Sequence, residues 1–263
     1  MHVLVTGATG GIGRGICEVL ATREAERLTL SVASSQAGER LDGLLQGLRD
    51  LGVQAHGVVG DVTRPDEARR IVQQAIEAGG DLDALVCVAG ASGPGRLADL
   101  PVEQWDLTFN LNTRSVFLMA QAAYASLQRT RGSITAIASM SGLHPHPGYG
   151  AYSPAKAALI MLCRQLAQEW GPEGIRTNSV CPGMVRTPLT EAVYQDADTK
   201  ARREALVPMG RIGRPDDIGH AVHYLIGCGA SYVNGQNLVV DGGVADHMLA
   251  MIPGRPGNAP VKA

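Results

Sequence analysis

The sequence predicts an α/β fold in which one parallel sheet is covered by helices on both faces. Three observations carry that reading. Short apolar runs of strand length alternate with longer stretches of helical period. The runs are nearly continuous in apolar residues, as strands buried on both faces are, and do not alternate in and out. Gly accounts for 33 of 263 residues and aromatics for 4%, so glycine-rich turns must join elements whose core is Ala, Val, Leu and Ile. A hydrophobic share of 45% is enough for a sizeable core and excludes a disordered chain.

Taken in order, His2–Thr6 is a first strand, followed by the glycine-rich turn at residues 6–13 and a helix over Arg14–Glu26. Strands are expected at Leu28–Val32, Val53–Gly60, Ala84–Ala89, Ser133–Ala138, Thr177–Val180 and Leu238–Val240, which makes seven runs with the first. Helices are expected at Ala37–Leu51, Pro65–Ala78, Thr113–Gln128, Ser153–Trp170 and Pro215–Cys228. Pro154 suits a first helical turn, where a missing N–H costs little. Thr187–Pro208 is charged and has no strand pattern, so it reads as a mobile lid over about 187–208 that orders on ligand binding. No repeat, linker or charge run marks a boundary, so 1–245 reads as one domain, with 246–263 as an irregular C-terminal arm.

Net charge is −2, which excludes the clustered cations that a nucleic acid or an anionic membrane requires. Five cysteines, at 17, 87, 163, 181 and 228, are an odd number with no C-x-x-C, which reads as reduced thiols in a cytoplasmic protein. No apolar run approaches the roughly 18 residues of a membrane span, and the opening strand leaves no room for a signal peptide.

Two motifs carry chemistry. In TGATGGIG, glycines 7, 11 and 13 let the backbone turn tightly and approach a pyrophosphate. The helix that follows offers unpaired N–H groups and the positive end of its dipole. The second motif is Tyr152-Ser153-Pro154-Ala155-Lys156, whose four-residue spacing stacks tyrosine and lysine on one helix face. A phenol with a pKa of about 10 is a poor proton shuttle at neutral pH, and a nearby ammonium is expected to lower it.

The glycine-rich turn, Asn112, Ser139, Tyr152 with Lys156, and PGMVRT at 182–187 occur in that order. So do GDV at 60–62, MGRIGRPDDI at 209–218 and YVNGQNLVVDGG at 232–243. Over residues 2 to 243 this pattern resembles the short-chain dehydrogenase/reductase family. The resemblance implies a doubly wound, Rossmann-like α/β domain with a seven-stranded, mainly parallel sheet flanked by helices on both faces. It also implies hydride transfer between a nicotinamide cofactor and a ketone or secondary alcohol. Tyr152 would be the general acid/base, Lys156 would tune it and hold the nicotinamide ribose, and Ser139 would hold the substrate oxygen. Asn112 would hold a water in the proton relay.

The same resemblance places cofactor contacts at Gly7, Thr9, Gly11, Ile12 and Gly13, at Asp61 and Val62 beside the adenine, and at Ala89 and Gly90 under the ribose. Pro182, Gly183, Val185 and Thr187 would clasp the carboxamide edge. Cys87-Val88 stands where the family usually has Asn-Asn, which leaves the geometry of that loop open. Dinucleotide selectivity normally lies at the end of the second strand. Val32 is placed where NAD-preferring members carry Asp, and Ser34 and Ser35 could donate to a 2′-phosphate. The missing acid favours NADP(H), while Gly10 stands where NADP-preferring members carry a cation, so NAD(H) stays open. A nucleotide sensor would have no need of Ser139, Tyr152 and Lys156.

No metal site is expected: His144 and His146 have no carboxylate or cysteine alongside. Arg96, Arg129 and Arg131 are candidates for a basic patch that would suit a carrier-protein thioester. The partners expected are a small carbonyl or alcohol substrate and further copies of the chain. Family members form tetramers or dimers, and Ala157, Leu159, Ile160, Leu162 and Leu166 offer more apolar surface than one sheet face can cover.

Overall fold

Seven strands join in one sheet in the order β3-β2-β1-β4-β5-β6-β7. The computed structural model describes residues 1–24 and 28–247. The strands are β1 His2–Thr6, β2 Thr29–Ser34, β3 Gln54–Val59, β4 Ala84–Cys87, β5 Ser133–Ile137, β6 Arg176–Pro182 and β7 Asn237–Val240. Every neighbouring pair is parallel, so the mainly parallel sheet expected from the sequence is parallel throughout. The chain winds outward from β1 to β3, returns to β4 beside β1, and winds the other way. Between the ends of β1 and β4 lies the switch point at which such sheets bind ligands.

Helices α1 Gly11–Glu24, α2 Glu39–Asp50 and α9 Pro215–Ile226 cover one face, and α3 Pro65–Gly79, α5 Ser115–Thr130 and α6 Tyr152–Trp170 cover the other. Each buries a stripe read at helical spacing. In α2 the stripe is Leu41, Leu44, Leu45 and Leu48, each leucine contributing about 1.5–3 kcal/mol by leaving water. Pro65 opens α3, Asp66 and Glu67 face its positive end, and Gly80 at φ 81° stops it. On the first face α1 and α9 cross closely enough that a β-carbon at Gly219 would lie 2.7 Å from Val19 Cγ2.

Three readings from sequence change here. The helix expected over Thr113–Gln128 is α5, and ahead of it lie a helix not expected, α4 Val102–Phe109, and a π-helical turn over Asn110–Arg114. Thr108 is the one buried residue of α4, so that helix has no apolar stripe to betray it. The lid holds two helices, α7 Glu191–Gln195 and α8 Ala197–Ala205, and α8 is polar all round, with no buried residue. On α6, Leu159, Ile160 and Leu166 face the chain's own core, so the outward apolar surface is smaller than expected. Ala157 and Met161 remain exposed. Beyond His247 the expected C-terminal arm lies outside the described residues.

All five cysteines are unpaired, and all but Cys228 are buried. Among the described residues no helix is long and apolar enough to cross a membrane, and no group of three or more His, Cys, Asp and Glu could hold a metal ion.

At the end of the sheet remote from the switch point, His2 is buried with both ring nitrogens occupied. Nδ1 lies 2.9 Å from Gly80 O and Nε2 lies 2.9 Å from Ser31 Oγ. The Nδ1–H donates to the carbonyl, so Nε2 accepts from the serine hydroxyl. Burial holds the His2 pKa below its ordinary value of 6.5. The unfolded chain therefore binds the proton more readily, and the stability this site contributes is complete above about pH 6.5 and is lost as pH falls through the lower folded value. His2→Leu should cost on the order of 1–3 kcal/mol at pH 7.5 by stranding two buried polar groups. It should also flatten the fall in melting temperature between pH 7 and 5. An equally steep fall in the variant would show that another group governs acid stability.

Candidate active site

Backbone meets backbone at the switch point. Gly7, at φ 63°, lies so close to the β4 loop that a β-carbon there would be 2.7 Å from Ala89 N. A β-carbon at Gly13 would overlap Gly7 O, and one at Gly11 would lie 2.6 Å from Thr187 Cβ. The turn is thereby a cradle walled by main chain, and it opens onto the N-terminus of α1. Thr9 is beside the end of β2, its Oγ1 3.3 Å from Ser34 Oγ. Ser35 is exposed next to it, and Ile12 packs partly buried on the α1 face of the sheet.

The unusual Cys87-Val88 leaves this geometry intact. Cys87 is buried in the core, and the N–H groups of Val88 and Ala89 both donate to Thr6 Oγ1, at 3.2 and 3.3 Å. Sequence reasoning missed Thr6. Its signal was a hydroxyl at the last position of a strand that is otherwise apolar after His2.

Asp61 is exposed after β3, accepting from both the amide and the hydroxyl of Thr63, and Val62 is buried beside it. Val32 requires a correction. It is fully buried among the apolar residues beneath α1 and α2, and β2 runs on to Ser34. An acid at Val32 would face the core, and Ser35 is the first exposed residue after β2.

At the ends of β4 and β5 the second half of the site assembles. Asn112 lies in the π-helical turn and is fully buried, and such turns often mark functional positions. Its Nδ2 donates to Ala91 O and Thr108 O, both at 2.9 Å, whereas its Oδ1 is buried with no partner. A β-carbon at Gly90 would lie 2.7 Å from that Oδ1 and 3.3 Å from Lys156 Nζ, so both groups face the same small space. Lys156 is buried and donates to Ile137 O at 2.8 Å, and its Nζ lies 5.7 Å from the centre of the Tyr152 ring. Ser139, at the end of β5, accepts from Ser141 N–H at 3.1 Å.

The electrostatics differ from the sequence expectation. Burial raises the Tyr152 pKa above 10, and the hydrogen bond with Ser139 offsets only part of this. Burial also pulls the Lys156 ammonium down to about 8. Both shifts have one cause, because a charged form is disfavoured wherever water is excluded. For Tyr152, loss of solvent outweighs the hydrogen bond with Ser139.

Pro182 is buried at the end of β6, and a β-carbon at Gly183 would lie 2.6 Å from Asp241 Cβ. Val185 is buried, and Thr187 packs on Gly11. Two of the sequence motifs prove to be the frame of this segment. Gly213 N–H donates to Met184 O and Arg186 N–H to Gly213 O, while Asp217 pairs with Arg211 and caps α9 through Arg214 N–H. Arg129 pairs with Asp81 and Arg131 lies against Gly174, both at the other end of the sheet from Arg96, so within one chain the three form no patch.

A family model described as enoyl-(acyl carrier protein) reductase matches residues 7–245. The chain is 32% identical to a 3-oxoacyl-[acyl-carrier-protein] reductase FabG from Thermotoga maritima, over 92% of this chain and 96% of that one. A solved structure of an actinorhodin polyketide ketoreductase variant with NADPH superposes at a TM-score of 0.86 with 35% identity, covering 93% and 97% of the two chains. The Pseudomonas aeruginosa RhlG/NADP complex superposes at 0.85 with 30% identity, covering 93% and 96%.

Proposed function

The chain belongs to the short-chain dehydrogenase/reductase family, and from that membership we propose that it is a cytoplasmic oxidoreductase interconverting a ketone and a secondary alcohol. One observation carries the reading: Asn112, Ser139, Tyr152 and Lys156 converge on the mouth of the switch point, two of them facing Gly90. The glycine cradle fits the pyrophosphate of a dinucleotide, and the unpartnered Asn112 Oδ1 beside Lys156 Nζ fits a hydroxyl or water at its nicotinamide end. When bound, the nicotinamide exchanges hydride with the substrate carbon.

The chain's own residues supply placement and the proton. Ser141 N–H occupies a lone pair of Ser139 Oγ, which leaves the serine's hydrogen to hold the substrate oxygen. The raised pKa of Tyr152 keeps its phenol protonated at neutral pH, which suits it to donate to a carbonyl oxygen. Lys156, at about 8, is mostly ammonium at pH 7 and holds the ribose side of the site. Asn112 Oδ1 accepts from the water through which the proton is replaced.

The turn residues Gly7, Thr9, Gly11, Ile12 and Gly13 would hold the phosphates, Asp61 and Val62 the adenine, Ala89 and Gly90 the ribose, and Pro182, Gly183, Val185 and Thr187 the carboxamide. We read 1–245 as one catalytic domain with its lid over about 187–208. NADP(H) is favoured over NAD(H), because β2 ends without a carboxylate and two serine hydroxyls stand there in its place. The two related structures that hold NADPH or NADP support the same choice. A homotetramer, with a dimer as the smaller alternative, would cover Phe117 and Met161 on α5 and α6 and Leu238 and Val239 on the edge strand β7, all exposed in the single chain.

Tyr152→Phe should lower kcat by at least about a thousandfold while nucleotide affinity, read by NADPH fluorescence, stays within about twofold. Retention of most of the rate would refute the assignment of the acid. Lys156→Ala should weaken both. Ser34→Asp should raise the NADPH Kd roughly tenfold or more through repulsion of the 2′-phosphate and leave NADH binding almost unchanged. Equal effects on the two nucleotides would place the selectivity elsewhere. Light scattering should return a multiple of the chain mass, and a monomer would refute the assembly.

A further inference from the structure

Helix α6 carries Tyr152 and Lys156 at its least anchored end. Ahead of Leu159 it buries only Ala155 and Lys156, and Ala151 at its start makes no side-chain cap. One methyl group gives little apolar anchorage, so packing alone leaves the pose of this turn weakly fixed. Lys156 Nζ donates to Ile137 O at 2.8 Å, but that bond uses the ammonium itself. A β-carbon at Gly142 would lie 2.8 Å from Lys156 C, so the segment after Ser139 bars the turn from moving that way and holds it in no other.

The π-helical turn supplies a tie of another kind, because three successive side chains of it reach three different segments. Asn112 Nδ2 donates to Ala91 O in the loop after β4, and Arg114 Nη1 donates to Thr63 O in the loop after β3 at 3.0 Å. Between them Thr113 Oγ1 donates to Ala155 O, in the first turn of α6, at 2.7 Å. Thr113 is half-buried and Ala155 is buried. As a helical carbonyl, Ala155 O also receives the amide four residues on, and its second lone pair takes the hydroxyl. The bond therefore grips main chain and leaves every side chain of α6 free. Asn112 precedes Thr113, and its Oδ1 would lie 2.7 Å from a β-carbon at Gly90. Lys156 follows Ala155, and its Nζ would lie 3.3 Å from the same atom. One hydroxyl thus joins the two backbones that carry these facing groups.

We propose that Thr113 is a positioning residue, whose hydroxyl fixes the first turn of α6 against the π-helical turn and so sets Tyr152 and Lys156 opposite Asn112. This rests on the oxidoreductase reading above. The hydroxyl matters and not the bulk. Thr113→Val keeps the shape and strands no acceptor, because Ala155 O retains its helical amide. Without the tie the two turns part and water reaches Nζ. Burial holds Lys156 at about 8, so that water moves it up toward 10.5. The titratable groups that face it are the Cys163 thiol and Tyr152 phenol of its own helix and the Cys181 thiol of β6. Burial raises the pKa of all three, so they stay neutral as the lysine titrates.

Two readouts on the full chain test this. The chain has three lysines, at 156, 200 and 262, so carbon-13 labelling of lysine gives three sets of side-chain signals. Lys200→Arg with Lys262→Arg isolates that of Lys156, which is followed against pH by NMR with no nucleotide present. Its midpoint should rise by about one pH unit or more in Thr113→Val and return to within about 0.3 of the unaltered value in Thr113→Ser. Ser115→Ala removes a hydroxyl that bonds only within its own turn, to Leu111 O, and should leave the midpoint in place. Kinetics uses whichever of ethyl acetoacetate, cyclohexanone and a 3-ketosteroid is reduced fastest. There kcat should fall about tenfold in Thr113→Val with the NADPH KM within about threefold, and Thr113→Ser should restore most of the rate. If Thr113→Val does not fold, Thr113→Ala replaces it, since it also lacks the hydroxyl and adds no bulk. An unmoved midpoint or an unchanged kcat without the hydroxyl, an equal shift in Ser115→Ala, or no recovery in Thr113→Ser overturns the assignment. A midpoint that moves in Thr113→Val and returns in Thr113→Ser, in a protein that binds neither NADPH nor NADH, would leave the tie standing and sink the oxidoreductase reading.

Discussion

The close crossing of two backbones at the ends of β1 and β4 is the constraint on which the rest of the site depends. Gly7 has room for no side chain over Ala89, and Gly13 has none over Gly7 O. Thr6 then fastens the two strands' exits by taking two amide hydrogens from Val88 and Ala89. From this one crossing α1 departs with its N-terminus exposed at the turn, and Gly90 is delivered opposite Asn112 Oδ1 and Lys156 Nζ. The glycine-rich turn and the small space shared by Asn112 and Lys156 are therefore set by the same few main-chain contacts. An error of an ångström at Gly7 would be felt at both ends.

Burial, more than pairing, sets the charge states around this crossing. The four-residue spacing of Tyr152 and Lys156 correctly places both on one face of α6, and their side chains do approach each other. Spacing says which groups share a face and nothing about how much water each loses. Lys156 is enclosed by the core and tied to a main-chain carbonyl, so it loses much of its preference for charge. Tyr152 is enclosed too, and its phenol holds its proton more tightly, not less. Each partner is shifted away from its ionised form.

What the sequence made legible follows the same division between pattern and environment. The strands and the helices on the two sheet faces were visible because burial writes itself as apolar periodicity, in α2 as Leu41, Leu44, Leu45 and Leu48. Glycines 7, 11 and 13 were visible because only a side-chain-free backbone can make those contacts. Helices α4 and α8 escaped notice because the first buries only Thr108 and the second buries nothing. The π-helical turn that brings Asn112 inward is a local change of hydrogen-bond register, which residue types do not encode. That Val32 faces the core was not legible, because the end of a strand depends on where its last ladder bonds fall, here at Ser34 with Val59.

The motifs at 209–218 and 232–243 hold residues 182–186 in place. Asn178 and Asn234 stitch β6 to the chain that precedes β7, Asp241 receives the amides of Gly243 and Ala245, and Asp217 locks the start of α9. Residues 182–186 are thereby pinned from three directions, through Gly183 N–H to Val240 O, Met184 O to Gly213 and Arg186 N–H to Gly213 O. Beyond them Thr190 Oγ1 donates to Val185 O, and Thr187 rests on Gly11 in the glycine-rich turn, with Pro188 beside it. The glycine-rich turn and the segment that leads into α7 and α8 are therefore in direct contact.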